Sequence, residues 1–244
     1  MKRIQCLILS ILVLCGTLVS CQKNPPKYSE PLNSADNEEV SISTETKKIS
    51  QGDIIIATET DSVIIETDSD LTQRIAKLTS DWRANALSTA QTTVNEYRRE
   101  YFSNNPKSFW LTIDVTYNKN GIISLACILS YSYFGNTLDI YIGAETIRLE
   151  DGYSLTIYDV LSCEKSLLEN ILTLGITPML NESYPEEILN SGGRYSEICN
   201  FYVDREGINV FVCYPYLDRE RCELITKITY SGNEELFAFV IFDQ

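Results

Sequence analysis

Histidine is absent from this 244-residue chain, and its absence removes several classes of enzyme at once. Without histidine there is no Ser-His-Asp or Cys-His catalysis, and most zinc hydrolase sites lose their usual ligand. The chain also lacks a C-x-x-C pair and a glycine-rich phosphate-binding loop, which disfavours zinc ribbons, thioredoxin-like chemistry and nucleotide binding. We therefore expect no catalytic residue, no metal site and no cofactor.

Basic side chains are also scarce. The chain has 20 Lys and Arg against 34 Asp and Glu, which gives a net charge of −14. A surface with this charge repels phosphates, so we exclude nucleic acid as a partner. It attracts cationic partners, although an acidic surface often serves solubility alone.

The first twenty residues have the pattern of a bacterial signal peptide. Lys2 and Arg3 precede an apolar run from Ile4 to Val19, which is shorter than the about 20 residues of a membrane-spanning helix. The run leads into Cys21 through Leu-Val-Ser, which is similar to a bacterial lipobox, in which the cysteine carries palmitate and other acyl chains. We predict a lipoprotein anchored through Cys21 on the extracytoplasmic face of the cell membrane. An ordinary cleaved signal peptide is the alternative.

Five cysteines remain beyond Cys21, and this odd number leaves at least one of them outside any intramolecular disulfide. One interpretation is a disulfide of Cys199 or Cys213 with Cys222; the other is that the thiols are small buried apolar groups. The five are Cys127, Cys163, Cys199, Cys213 and Cys222.

The segment that follows the signal peptide is predicted to be a disordered tether over residues 21–51. It holds three prolines and few large apolar side chains, so it cannot bury enough surface to fold. Residues 53–67 contain two Ile/Val triplets, which favour one or two short strands. The acids that follow lack the glycine and distal glutamate of a calcium loop, and Asp70 with Gln73 is typical of a helix capping box.

Residues 71–101 carry the strongest helical pattern in the chain. Apolar and aromatic residues recur there every three or four positions, which predicts one long helix with a single buried stripe. The stripe consists of Leu71, Ile75, Leu78, Trp82, Ala86, Ala90, Val94, Tyr97 and Tyr101.

From Phe109 the apolar period changes to two, which indicates strands. We predict an antiparallel meander over residues 109–117, 122–134, 138–149 and 154–158, with an Asn-Gly turn after the first strand. A helix capped by Ser162 and ended by Gly175 and Pro178 follows. Another helix starts near Tyr184. Further along, residues 200–216 predict a β-hairpin around Gly207, with strands near 223–230 and 236–242.

These elements predict an α+β fold of antiparallel β-sheets packed with a long N-terminal helix and shorter helices. We expect two tandem subdomains, an N-terminal module at residues 52–161 and a C-terminal module at 162–244.

Three stretches carry a resemblance to a known family. They are N-K-N-G-I-I-S-L-A-C-I-L-S-Y-S-Y-F-G at 118–135, E-D-G-Y-S-L-T-I-Y-D-V-L at 150–161, and N-F-Y-V-D-R-E-G-I-N-V-F-V-C-Y-P-Y at 200–216. Together they resemble the paired extracytoplasmic modules of the lysozyme-responsive anti-sigma factors of Gram-positive bacteria, the RsiV-like family. The charged run after Tyr216 departs from the family pattern, and we expect no cytoplasmic sigma-binding domain.

The resemblance implies a binding module and makes lysozyme, a basic protein, one expected ligand. We predict a non-enzymatic lipoprotein that binds or senses an envelope-associated protein or glycan. Tyr214, Tyr216, Arg219 and Arg221 follow the central strand and are candidate ligand-binding residues, because Tyr and Arg are favoured in binding hot spots. A glycan hydrolase that uses paired carboxylates, with Glu150/Asp151 or Glu186/Glu187 as the candidates, is the alternative. A passive structural lipoprotein of a membrane complex is another.

Overall fold

The computed structural model describes residues 40–51, 54–100, 108–133, 136–161, 163–176, 199–212, 226–233 and 236–237. They form eight strands and three helices. The strands are β1 (Val40–Gln51), β2 (Ile54–Ile65), β3 (Ser108–Lys119), β4 (Ile122–Tyr133), β5 (Asn136–Arg148), β6 (Cys199–Val203), β7 (Gly207–Val212) and β8 (Thr226–Thr229). The helices are α1 (Ser69–Glu100), α2 (Ile157–Val160) and α3 (Lys165–Ile176).

The strands belong to two sheets. The larger has the order β1-β2-β3-β4-β5, and the smaller has the order β6-β7-β8. All described residues lie in one compact unit. The fold is therefore α+β, and the boundary predicted between two tandem modules at residue 161 stays a prediction. Among the described residues no helix is both long and apolar enough to cross a membrane.

Strand β1 corrects the predicted tether. Residues 40–51 pair with β2 along their whole length, from Val40 opposite Ile65 to Gln51 opposite Ile54. This segment has only three large apolar residues, Val40, Ile42 and Ile49, which pack on the core, and their small number is why its composition indicated disorder. The β2 ladder supplies its backbone hydrogen bonds instead. Residues 21–39 lie outside the described residues.

Helix α1 packs on the larger sheet and makes it a mixed sheet. The predicted stripe is confirmed from Leu71 to Val94, with Ile75, Trp82, Ala86 and Ala90 buried against strand residues. Because α1 connects β2 to β3, these strands run parallel, and the purely antiparallel prediction is wrong here.

The helix begins at Ser69, and the carboxylate of Asp68 accepts hydrogen bonds from the backbone N–H groups of Asp70 and Leu71. The N-cap is therefore Asp68, and the prediction of Asp70 was wrong.

The β3–β4 hairpin is as predicted, since Asn120 and Gly121 have φ values of 54° and 71°, as a type I′ turn requires.

The prediction of a strand at residues 154–158 is wrong. Only an isolated bridge joins Ser154 to Ile147, and the chain then enters α2. There the Asp159 carboxylate accepts hydrogen bonds from the backbone N–H and hydroxyl of Thr156, 2.7 Å each. Helix α3 continues through Gly175, which was predicted to interrupt it.

The smaller sheet covers the outer face of β4 and β5, the face opposite α1. The backbone N–H of Val203 donates to the buried hydroxyl of Ser124 at 3.0 Å, and the Phe211 ring lies 4.7 Å from that of Tyr141. β7 is buried on both sides, as its sequence indicates, with Ile208 and Phe211 at 0% exposure. Gly207 is required by a close approach, because a β-carbon there would overlap the carbonyl of Ile228 on β8.

Candidate binding surface

The sequence-predicted site residues lie outside the described part of the chain. This holds for the lipidation residue Cys21 and for Tyr214, Tyr216, Arg219 and Arg221. It holds equally for Cys213 and Cys222, so the predicted disulfides stay predictions. No disulfide joins two of the three cysteines that the structure describes.

A different surface stands out on the outer face of β2 and β3. Successive side chains of a strand point to opposite faces, so the burial of Phe109, Leu111 and Ile113 under α1 turns Trp110 and Asp114 to the other side. The smaller sheet packs on the neighbouring strands β4 and β5. We name this surface the acidic ledge and define it as Ile55, Glu59, Asp61, Trp110 and Asp114.

One end of the ledge is apolar. Trp110 is 46% exposed and Ile55 is 36% exposed, which makes them two of the few large apolar side chains on the described surface. The parallel register places Ala57 opposite Trp110 and Ile55 opposite Ser108, so Ile55 and Trp110 are diagonal neighbours on one face. Exposed tryptophan beside aliphatic surface is typical of a binding hot spot.

The other end is acidic, and its geometry is fixed by hydrogen bonds. The β2–β3 ladder ends at Thr60 and Ile113, and the carboxylate of Asp61 then accepts the backbone N–H of Val115 at 2.9 Å. Its second oxygen accepts the hydroxyl of Thr44 on β1 at 2.6 Å. These two bonds hold a carboxylate in place between three strands.

The pKa of the Asp114 carboxyl is strongly raised. Burial, together with the negative charges of Asp61 and Glu59, raises its pKa from 3.8 to about 7. A carboxyl of this kind changes its charge in the neutral range, which is frequent at functional sites.

The acidic character continues on the same face toward β5. The hydroxyl of Ser130, opposite Trp110 in the β3–β4 register, donates to the carboxylate of Asp139 at 2.6 Å. Burial raises the pKa of Asp139, and the bond from Ser130 partly offsets this. Trp110 therefore has carboxylates along its own strand and also two strands away.

This arrangement suits a cationic group. A lysine or arginine can place its cationic group over a tryptophan ring, and a further basic side chain of the same partner can pair with the carboxylates at the other end of the ledge. Within the described residues no group of three or more His, Cys, Asp or Glu side chains is arranged to hold a metal ion.

Other polar clusters have structural roles. The Asp204 carboxylate closes the β6–β7 turn by accepting the N–H groups of Glu206 and Gly207, and it also accepts the Lys227 ammonium at 2.9 Å. Arg74 of α1 pairs with Glu145 of β5 at 2.7 Å and fastens the helix to the sheet.

Of the carboxylates proposed for a hydrolase, Asp151 has a structural role in a turn. The Asp151 carboxylate binds Arg148 at 2.6 Å and the backbone N–H of Tyr153. The bonds from Arg148 and from this backbone group lower its pKa to about 2, as suits a turn. Glu186 and Glu187 lie outside the described residues.

Sequence reasoning missed the ledge because Trp110 and Asp114 read only as alternate positions of a strand. The available signal was that this strand places Trp, Thr and Asp, and no aliphatic residue, on its second face. Its neighbours on β2 come from more than 50 positions earlier and meet it only through the parallel register.

Comparison with known proteins yields likeness of structure alone. No family model matches the chain, and no curated protein matches it. Among solved structures, it is similar to a DUF3298 family member from Bacteroides fragilis at 13% identity and a TM-score of 0.42, over 82% of this chain and 94% of that one. A DUF3298 family protein from Pseudomonas aeruginosa matches at 12% identity and a TM-score of 0.43, over 84% and 97% of the two chains.

Proposed function

We propose that this chain is a lipid-anchored extracytoplasmic binding protein whose acidic ledge takes up a basic protein. The observation that carries the proposal is the half-exposed Trp110 beside Ile55 at one end of the ledge, with the carboxylates of Asp61 and Asp114 at the other end. Such a surface combines an apolar anchor with charges that recognise lysine and arginine.

Charge favours a basic partner over other classes. Cleavage of the predicted signal peptide removes two basic residues, Lys2 and Arg3, and leaves a net charge of −16. The long-range field then attracts a cationic protein, while the ledge supplies the short-range contacts. Lysozyme is the first ligand to test, because the sequence resembles the RsiV-like modules of lysozyme-responsive anti-sigma factors.

Attachment through Cys21 predicts a clear result in cell fractionation. Replacing Cys21 with alanine removes the acylated thiol, and we expect most of the protein to leave the membrane fraction. Cys15→Ala, which alters a cysteine inside the signal peptide, is the matched control and is expected to stay membrane-bound. Membrane retention of the Cys21 variant equal to that of the control would contradict the anchor.

The binding proposal is tested at Trp110. Trp110→Ala is expected to weaken binding of lysozyme to the mature chain by at least about tenfold at physiological salt, because a hot-spot side chain contributes more than about 1.4 kcal/mol. Titration calorimetry of the two proteins measures this. Tyr153→Ala is the matched control, since Tyr153 is 48% exposed and lies at a turn outside the ledge.

The outcomes separate a specific surface from charge attraction alone. Equal affinity of the two variants, or binding that disappears at physiological salt in the unaltered chain, would contradict the proposal. Thermal unfolding serves as the folding control, because exposed substitutions usually change stability by no more than about 0.5 kcal/mol.

A glycan hydrolase remains the second candidate, and the pKa of Asp114 is the observation that favours it. A carboxyl whose pKa is raised to about 7 by burial and by neighbouring carboxylates resembles the general acid of glycoside hydrolysis. Sugar released from purified cell wall, and lost in Asp114→Asn, would identify this activity. If the unaltered chain releases no sugar, the hydrolase is contradicted and the binding role stands.

A further inference from the structure

Strand β1 ends the larger sheet in the described part of the chain, where no described strand pairs with its outer edge. It pairs with β2 on one side, and its residues from Ser43 to Lys48 are exposed. One row of its backbone N–H and C=O groups therefore faces outward, which is a template for a further strand. We propose that two copies of this chain associate through their β1 strands, antiparallel, with Thr46 on the twofold axis.

Symmetry restricts the registers that such a pair can adopt. In an antiparallel ladder, the two residues of an opposite pair either both point their backbone N–H and C=O groups at each other or both point them away. These two kinds of pair alternate along the strand. When both strands have the same sequence, opposite residues must be an even number of positions apart. A single residue therefore lies on the axis.

Charge selects one of these registers. An axis at Glu45 places that glutamate opposite itself, and an axis at Lys47 or Lys48 places a lysine opposite itself. An axis at Thr46 places Glu45 of each copy opposite Lys47 of the other, twice. With this axis the two β1 strands pair from Ser41 to Gln51. An axis at Thr44 instead places the charged residues opposite neutral ones and gives a shorter ladder.

The side chains are already disposed for this pairing. Glu45 and Lys47 lie on the same face of β1, 2.7 Å apart, with their side chains 53% and 60% exposed. In the dimer they would alternate as four charges of opposite sign, and cross-strand pairs of this kind stabilise a ladder. Lysine at an edge usually prevents association with other strands. Here the glutamate two positions before it makes the same edge complementary to itself.

Cysteine cross-linking tests the register directly. In membranes that contain the full chain, oxidation of Thr46→Cys is expected to give a disulfide-linked dimer on a non-reducing gel. Residues facing each other on the axis have Cα atoms about 4.5 to 5.5 Å apart, which a disulfide can span. Thr44→Cys is the matched control. Its two copies would lie four positions apart along the ladder, about 14 Å, which is beyond disulfide reach.

Cross-linking that is equal for Thr46→Cys, Thr44→Cys and the unaltered chain would overturn the proposal. The chain's own cysteines are present in all three, so only an excess at position 46 supports the register.

Charge exchange gives a second, independent measurement. Lys47→Glu turns both opposite-charge contacts into repulsion, and we expect the dissociation constant of the dimer to rise by at least about tenfold. Adding Glu45→Lys to that variant restores opposite charges and should restore association. Sedimentation of the purified full chain over a range of concentrations measures both. A monomer at all concentrations, or a double variant as weak as the single one, would contradict the proposal.

Discussion

Replacing Gly143 with alanine is expected to lower the free energy of unfolding by about 2–3 kcal/mol. Gly143 lies on β5 opposite Cys127, next to a bulge in the β4–β5 ladder, and the indole of Trp82 covers it. A β-carbon at this position would overlap the indole ring, whose Cε2 atom would be 2.8 Å away. Because Trp82 is buried in the packed stripe of α1, it cannot move without displacing the core.

A double-mutant cycle with Trp82→Phe isolates this contact. The smaller ring leaves room for the added methyl group, so the Gly143→Ala penalty should fall by at least about 1 kcal/mol when Trp82 is already phenylalanine. Chemical denaturation of the four proteins measures the coupling. Additive effects would show that the close approach is not what requires glycine. A neutral or stabilising Gly143→Ala would have the same meaning, since alanine also lowers the entropy of the unfolded chain.

The parts of the fold that sequence predicts well are those whose stability is local. The stripe from Leu71 to Val94 is visible as a period in the sequence because all of its side chains lie on one face of the helix, and that face is buried against the sheet. The β3–β4 turn is also predicted well, since Asn120 and Gly121 are residues that adopt positive φ at low cost.

The parts that sequence did not reveal depend on contacts between distant segments. β1 is mostly polar, and its three large apolar residues, Val40, Ile42 and Ile49, do not keep a period of two. Its order depends on the ladder with β2, which its own composition does not predict. The acidic ledge exists because α1 returns the chain beside β2 in parallel, which sets Asp114 near Asp61 and Glu59. Register of this kind is a property of the assembled sheet, and a single strand's pattern does not contain it.

Asp114→Asn is expected to raise the free energy of unfolding at pH 8 by about 2 kcal/mol and to flatten its pH dependence. The pKa of Asp114 is about 7 in the folded protein against 3.8 for an ordinary aspartate, so the folded state binds its proton more tightly. The stability this proton confers is fully present below about pH 4 and is lost as pH rises through about 7. The full difference corresponds to at most about 4 kcal/mol, and partial exposure of the group reduces it.

Denaturation across pH 4 to 9 measures this slope. Asp81→Asn, which removes an exposed carboxylate on α1, is the matched control with which the Asp114→Asn slope is compared. A slope that persists in Asp114→Asn would assign it to other groups.

The same carboxyl links stability to the proposed binding of a basic protein. A cationic side chain on the ledge favours ionised Asp114, so affinity should rise between pH 6 and pH 8, and binding should release a proton in that range. In Asp114→Asn that rise should be absent while the contribution of Trp110 persists. A loss of affinity in Asp114→Asn without any change in its pH dependence would mean that this residue shapes the surface and that its charge has no part in binding.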